Sequence, residues 1–298
     1  MLNIHGLYYS SFDWFFRAGL EYPVVLISVL FAIFAFGACW GSFLNVCIWR
    51  MPRRESVVSA PSHCTVCGSD IRWYDNIPVV SYLVLRGRCR VCKTPYSCRY
   101  FVVEVVTGTA FILLFLKSAH AMLVPQTVLF YWLGFWYLLG AAWIDAKHRI
   151  IPDALTFPVA LTTLIFSGFF PEASGHSVWW RAVLTELLTG AVTGTVLLIF
   201  SIVGKKIAGG REAFGLGDVK MCALLAMLLG VFGTMFSLFA ASCFGMTYGV
   251  VLAIKRHRSI GKTAIPFAPF IAAGAVVWMF AGTWILQFFN LIAKAGRI

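Results

Sequence analysis

The feature that most constrains this chain is a series of apolar blocks about 20 residues long, separated by short, mostly basic stretches. A helix rises about 1.5 Å per residue, so each block is long enough to cross the hydrocarbon core of a bilayer. Charged residues make up only 12% of the 298, against about 25% in soluble domains. The first 22 residues are too polar for the apolar core of a signal peptide, so no cleaved targeting segment is expected. The aromatic stretch from Tyr8 to Phe16 is expected at a membrane interface.

Eight spans are predicted: 22–45, 101–116, 127–144, 154–170, 182–203, 221–236, 237–254 and 266–290. The sixth and seventh follow from a parity argument. Between Lys220 and Lys255 lie 34 mostly apolar residues, too many for one span, and both flanks are basic. Flanks on the same side require an even number of crossings, so two short helices with a turn near Gly230 or Gly233 are expected. With the N-terminus outside, 19 of the 24 Lys and Arg fall on the cytoplasmic side, as the bias of basic residues toward that side requires. Both termini are then outside. The net charge of +12 is explained by membrane flanks, and no nucleic-acid motif accompanies it. Membrane lipid is the expected surrounding; nucleic acid is not an expected partner.

The expected fold is therefore an all-α polytopic membrane protein of about eight transmembrane helices with a small cytoplasmic insert. Residues 1–45 hold the N-terminal segment and first helix, 46–100 the polar, cysteine-rich insert, and 101–298 the remaining seven helices. No internal repeat stands out.

Within the insert, Cys64-Thr-Val-Cys67 and Cys89-Arg-Val-Cys92 are separated by 21 residues. Two such turns converging on one point make the tetrahedral thiolate site that zinc prefers, and a metal would stabilise an insert with little core of its own. Cys64, Cys67, Cys89 and Cys92 are thus candidate ligands of a structural zinc. The competing reading is a disulfide or redox pair, which a reducing cytoplasmic location opposes. His63 is a weaker candidate ligand. Cys39, Cys47, Cys98, Cys222 and Cys243 lack paired spacing and are read as packing residues.

The chain has only 12 acidic residues. Asp13, Glu21, Glu172 and Glu186 belong to the outer side or its border. Glu104, Asp145, Asp153 and Asp218 fall at cytoplasmic ends of spans, where ionisable groups are costly and are functional candidates by default. Asp145 closes the third span and Asp218 opens the sixth, at the same depth on the same side. Two close carboxylates share a proton. One then activates water as a base while the other polarises a carbonyl, the division of labour that amide hydrolysis needs. The plainer readings are a helix N-cap for Asp218, an interfacial charge for Asp145 and a helix-start residue for Asp153. Asp145 ends a helix and Asp218 begins one, so helix dipoles alone place the shared proton on Asp145. Lys220 would reinforce that bias if it faced inward.

Gly215-Leu-Gly-Asp218 resembles the GxGD signature of intramembrane aspartic proteases. Asp145-Ala-Lys-His-Arg-Ile-Ile-Pro152-Asp153 resembles the first-aspartate motif of bacterial type IV prepilin peptidases. So do Gly41-Ser-Phe-Leu-Asn-Val46 with Arg50-Met-Pro52, while Trp73-Tyr-Asp-Asn-Ile-Pro78 and Arg86-Gly-Arg-Cys-Arg-Val-Cys92 are similar to that family's cysteine domain. The resemblance implies removal of the basic leader from prepilins or pseudopilins at the cytoplasmic face, with Asp145 and Asp218 as catalytic residues. It also implies N-methylation of the new terminus from S-adenosylmethionine, and a bacterial inner-membrane location. Ile151 and Thr65 depart from the usual leucine and proline of these motifs without touching the aspartates. The sequence shows no glycine-rich nucleotide loop. Asn45 is read either as an interhelical hydrogen-bonding residue or as a substrate or cofactor contact, and Glu104 either as a contact of the methyl-transfer site or as a partner of Arg99. Gly37 and Gly41 form a GxxxG that packs helices. A transporter would place its acids nearer the bilayer midplane, and a scaffold would have no use for two aspartates at equal depth.

Overall fold

A computed structural model describes residues 22–59, 61–120, 126–207, 214–256 and 265–295. The expectations placed on Tyr8 to Phe16, Asp13 and Glu21 lie outside them, as do Arg17, Arg211, Arg258, Lys262 and Arg297 among the Lys and Arg residues counted for orientation. The described residues are helical, with two isolated β-bridges in the insert in place of strands. The helices are α1 (Pro23–Arg50), α2 (Val80–Leu85), α3 (Arg99–His120), α4 (Thr127–His148), α5 (Asp153–Phe169), α6 (Trp179–Ile207), α7 (Leu216–Arg256) and α8 (Ala268–Ala295). All but α2 and the 17-residue α5 are long and apolar enough to cross a membrane. Large apolar side chains stand outward along these helices, as in Leu187, Val192, Val196 and Phe200 of α6. In water such a surface would be a liability; in lipid it faces its own solvent.

The chain divides into two compact units, Met1–Trp136 and Tyr137–Ile298. In the first, α1 packs on α3 through small residues. A Cβ at Gly37 would lie 2.9 Å from the Gly108 Cα, and one at Gly41 would lie 2.8 Å from the Glu104 Cα. The expected GxxxG role is therefore seen, and it brings two backbones into van der Waals contact. Trp132 and Trp136 donate their indole N–H groups to the Phe111 and Trp40 carbonyls, both at 2.9 Å. Beyond α1 the buried Arg50 guanidinium donates to the Ser56 and Pro61 carbonyls, 3.1 Å each. Counted in the sequence as one more basic flank, it holds the first turn of the insert.

In the second unit, α7 is broken at Gly230, which adopts φ 72° and ψ 174°, a region essentially restricted to glycine. Phe214, just before α7, packs on Phe267 with ring centroids 6.0 Å apart. A Cβ on Gly245 would lie 3.7 Å from the same Phe267 ring, and one on Gly249 would lie 3.1 Å from Ile265. Gly233, Ser237 and Gly274 continue this contact along α8 in antiparallel order. A straight helix would separate residues 216 and 245 by about 43 Å. The chain therefore runs out from Leu216 and folds back after Gly230, the paired short helices that parity demanded. Glu186 is buried and accepts hydrogen bonds from the Ser167 and Ser174 hydroxyls.

Candidate active site and metal centre

Asp145 lies in the last turn of α4. Arg149, in a left-handed conformation at φ 57°, closes that helix by donating its N–H to the Asp145 carbonyl at 2.9 Å. The Asp145 side chain is 7% exposed, and its Oδ2 accepts the backbone N–H of Ala268, the first residue of α8, at 3.2 Å. Proline residues 266 and 269 flank that start. Proline near a helix beginning is the signal by which the α8 N-terminus was legible in sequence; its pairing with Asp145 was not.

Asp218 is the third residue of α7, not its N-cap. Its carboxylate accepts the Gly215 backbone N–H, half of a capping box. The glycines of the motif have separate steric roles. A Cβ on Gly215 would stand 3.4 Å from the Asp218 Oδ2, and one on Gly217 would meet the Ile151 side chain at 3.4 Å. Gly215 thus leaves room for the carboxylate, and Gly217 lets α7 close on the segment after α4. Asp145 and Asp218 are within electrostatic reach of each other.

The dipole argument loses force, however. Asp145 ends α4, but its carboxylate accepts the first N–H of α8. The positive end of α8 therefore offsets the negative end of α4 at this residue, and dipoles distinguish the two acids less than the sequence suggests. Lys220 does not turn toward Asp218; its Nζ pairs with Asp153 Oδ1 at 2.6 Å. Asp153 is the first residue of α5, so it is a helix-start residue with a salt bridge added.

In the first unit the four predicted sulfurs converge. Cys64 and Cys92 Sγ lie 3.8 Å apart, Cys67 and Cys89 Sγ 4.0 Å apart, and all four fall within 4.8 Å of one another. Tetrahedral zinc at about 2.3 Å from each thiolate requires sulfurs about 3.8 Å apart, so the cluster fits that ion. The two turns are built alike. Gly68 N–H donates to the Cys64 carbonyl and Lys93 N–H to the Cys89 carbonyl; Cys64 N–H donates to Ser69 and Cys89 N–H to Thr94. The residue after each CxxC, Gly68 or Lys93, has positive φ. This is a short structural repeat that only C-x-V-C followed by Gly or Lys and then Ser or Thr betrays in sequence. Backbone N–H groups of Cys92 and Val91 bring the Cys89 thiol down to about 6, and the Ser69 hydroxyl lowers Cys67. Both shifts favour the thiolate, the form that binds metal, whereas the Cys64 thiol is shifted the other way. His63 stands outside the cluster, with Nδ1 3.3 Å from the Pro61 carbonyl. Among the unpaired cysteines, Cys47 and Cys222 are buried as packing residues should be, whereas Cys39, Cys98 and Cys243 are exposed.

The insert and the ends of α1 and α3 also enclose a cavity of about 520 Å³. Asn45, Trp49, Tyr82, Tyr96, Tyr100 and Glu104 are among its lining residues. Asn45 donates to the Tyr100 carbonyl at 3.0 Å, and Glu104 Oε2 accepts the Val79 N–H at 2.8 Å. Glu104 is thus a cavity residue rather than a helical partner of Arg99. Val79 has φ 64°, a strained value for a β-branched residue. The three tyrosines carry no sequence signal that separates them from ordinary packing residues.

Comparison with known proteins agrees with this division. The family model of the bacterial peptidase A24 N-terminal domain matches residues 35–118, and that of the type IV leader peptidase family matches residues 132–250. A prepilin leader peptidase/N-methyltransferase of Pseudomonas putida is 35% identical over 86% of this chain and 91% of the relative. One from Pseudomonas aeruginosa is 33% identical over 81% of this chain and 88% of its own length. An Escherichia coli type 4 prepilin-like proteins leader peptide-processing enzyme is 33% identical over 82% and 91% respectively. No solved structure gives a significant match.

Proposed function

The chain belongs to the type IV leader peptidase family, and on that premise we propose that it cuts the basic leader from prepilins or pseudopilins with Asp145 and Asp218 as the catalytic pair. The observation that supports the assignment is that these two carboxylates lie within electrostatic reach of each other, each fixed by one backbone N–H, from Ala268 and from Gly215. The ionised member takes a proton from water as the water oxygen attacks the scissile carbonyl. The protonated member donates to the carbonyl oxygen. Collapse of the tetrahedral adduct returns that proton and expels the amine, which receives the proton held by the base. The pair thereby regains its single shared proton.

The N-methyltransferase names of the relatives support a second activity on the amine just released. S-adenosylmethionine, when bound, supplies a methyl group to the neutral amine, the carbon–sulfur pair leaving with sulfur and the spare amine proton passing to water. Cys64, Cys67, Cys89 and Cys92 would hold a zinc ion that fixes the two turns of the insert. The domain organisation proposed is that of the sequence: a first helix ending at 45, the metal-binding insert at 46–100, and the peptidase helices at 101–298. The excess of Lys and Arg on one side supports a bacterial inner-membrane orientation with the aspartates and insert cytoplasmic and both termini periplasmic.

The test is Asp145→Asn and Asp218→Asn in purified full-length protein, incubated with a prepilin and S-adenosylmethionine and read by product mass. Each variant should lose at least 1000-fold in cleavage while inserting normally. Full cleavage by either removes that residue from the pair.

A further inference from the structure

Each carboxylate of the proposed pair is held by one backbone N–H, and both of those amides follow a phenylalanine. Gly215, which donates to Asp218, follows Phe214; Ala268, which donates to Asp145 Oδ2 at 3.2 Å, follows Phe267. A peptide unit is planar, so the carbonyl of one residue and the N–H of the next turn together. Whatever fixes the Phe214 and Phe267 carbonyls therefore aims the two N–H groups.

Both carbonyls are fixed. Ser201, buried near the end of α6, donates its hydroxyl to the Phe214 carbonyl at 2.6 Å. The hydroxyl thus grips one side of the peptide unit whose other side holds Asp218. The Phe267 carbonyl accepts the N–H groups of Phe270 and Ile271 at 3.0 and 3.2 Å, in the opening turn of α8. That unit is set by its own helix, whereas the Phe214 unit takes its anchor from another.

The two units are tied to each other by their rings. Phe214 and Phe267 meet edge to face, with centroids 6.0 Å apart and planes at 77°, a geometry that aromatic pairs prefer. The small-residue contact of α7 with α8 at Gly233, Ser237 and Gly274 lies beyond the break at Gly230, while the rings adjoin the amides that hold the acids.

We propose that Phe214, Phe267 and Ser201 are positioning residues of the peptidase: the ring pair holds the two carboxylate-binding peptide units at one separation, and the Ser201 hydroxyl sets the tilt of the Gly215 N–H. The proposal rests on the reading of Asp145 and Asp218 as the catalytic pair. The three side chains act through the amides and transfer no proton themselves. Two carboxyls serve one water and one carbonyl only at a fixed spacing, and a misplacement of about 1 Å costs about 100-fold in rate. Spacing also sets how strongly the first negative charge opposes the second, and so the separation of the pair's two apparent pKa values.

The experiment measures kcat, KM and the pH–rate profile for cleavage of a purified prepilin by the full-length protein, with thermal denaturation in parallel. Phe214→Leu and Phe267→Leu should each lower kcat about tenfold or more and keep KM within about threefold. The double variant should lose no more than the worse single one, because a pair already broken cannot be broken again. The bell-shaped profile should narrow in all three, since carboxyls that drift apart titrate closer together. Arg149 lies within electrostatic reach of Asp145, and Tyr137 and Cys222 within reach of Asp218; the substitutions leave all three in place. Phe214→Tyr keeps the ring and should retain rate and profile. Ser201→Ala should lower kcat about tenfold at unchanged KM, and Ser201→Thr, which keeps a hydroxyl, should restore it. Lower melting temperatures with wild-type kcat and bell width would mean rings that only pack, and multiplicative losses in the double variant would mean that they do not act as a pair; either result overturns the proposal. If the leucine variants do not fold, Ser201→Ala decides: the kcat loss at constant KM supports the positioning role, and wild-type kcat overturns it. Normal cleavage by Asp145→Asn or Asp218→Asn removes the underlying reading and the proposal with it. Inactive asparagine variants beside wild-type leucine variants remove this proposal alone.

Discussion

Replacing Gly41 with alanine adds one methyl group where α1 and α3 touch. The new Cβ would lie 2.8 Å from the Glu104 Cα, 3.0 Å from the Val103 carbonyl oxygen and 3.1 Å from the Thr107 Oγ1. Carbon atoms rest at about 3.5–4.0 Å, so the first contact is short by about 0.7 Å or more. Two of the three atoms are backbone and cannot rotate away; the helices must separate. Overpacking of this kind costs about 1–3 kcal/mol, and backbone contacts place it near the upper end. Alanine returns about 1 kcal/mol as the better helix former, which leaves a net loss of about 2 kcal/mol, or roughly 30-fold in the folded population. Cleavage by Asp145 and Asp218, which lie outside this contact, should be retained. The assay is thermal or SDS denaturation of the purified protein with cleavage measured in parallel. Gly168→Ala is the control: its Cβ would meet only the Val183 Cγ2 at 3.7 Å, an ordinary contact, so it should be neutral or slightly stabilising. A Gly41→Ala protein as stable as the control would refute the argument that this helix crossing has no room for a Cβ.

Zinc should co-purify at about one atom per chain. Cys64→Ser with Cys67→Ser should release it and expose 46–100 to protease; a metal-free wild-type preparation with a resistant insert would count against a structural ion. Gly215→Val should lower cleavage at least tenfold by crowding the Asp218 carboxylate at the 3.4 Å contact, and unchanged kcat in membranes would show that the glycine is dispensable. Lys220→Met removes a half-exposed ion pair with Asp153, a type worth about 0–1 kcal/mol. Its cleavage rate should therefore stay within about threefold, and a hundredfold loss would mean that Lys220 acts on the catalytic pair. Gly230→Ala forces φ 72° on a residue with a Cβ, at about 1–3 kcal/mol. It should impair return of the chain after α7's first half, measured by labelling single cysteines placed near Lys255 from either side of the membrane.

Much of this architecture is written locally. A span needs only about 20 apolar residues because lipid forces each segment to satisfy its own backbone, so hydropathy and parity together yield the helices and the reversal at Gly230. The CxxC pairs carry their metal chemistry in their spacing, and the GxGD and Asp145 motifs identify the acids with the resemblance as guide. What depended on the tertiary structure was where each side chain ends. Asp145 belongs to the C-terminus of α4 in sequence but delivers its carboxylate to the N-terminus of α8, 123 residues further on, which offsets the α4 dipole. Lys220 turns to Asp153, and Asn45 and Glu104 come to line one cavity because Gly41 lets two backbones meet. Hydropathy and spacing report a residue's own helix and face, whereas a hydrogen-bond partner or a cavity wall is supplied by a segment tens of residues away, and only packing decides which one arrives.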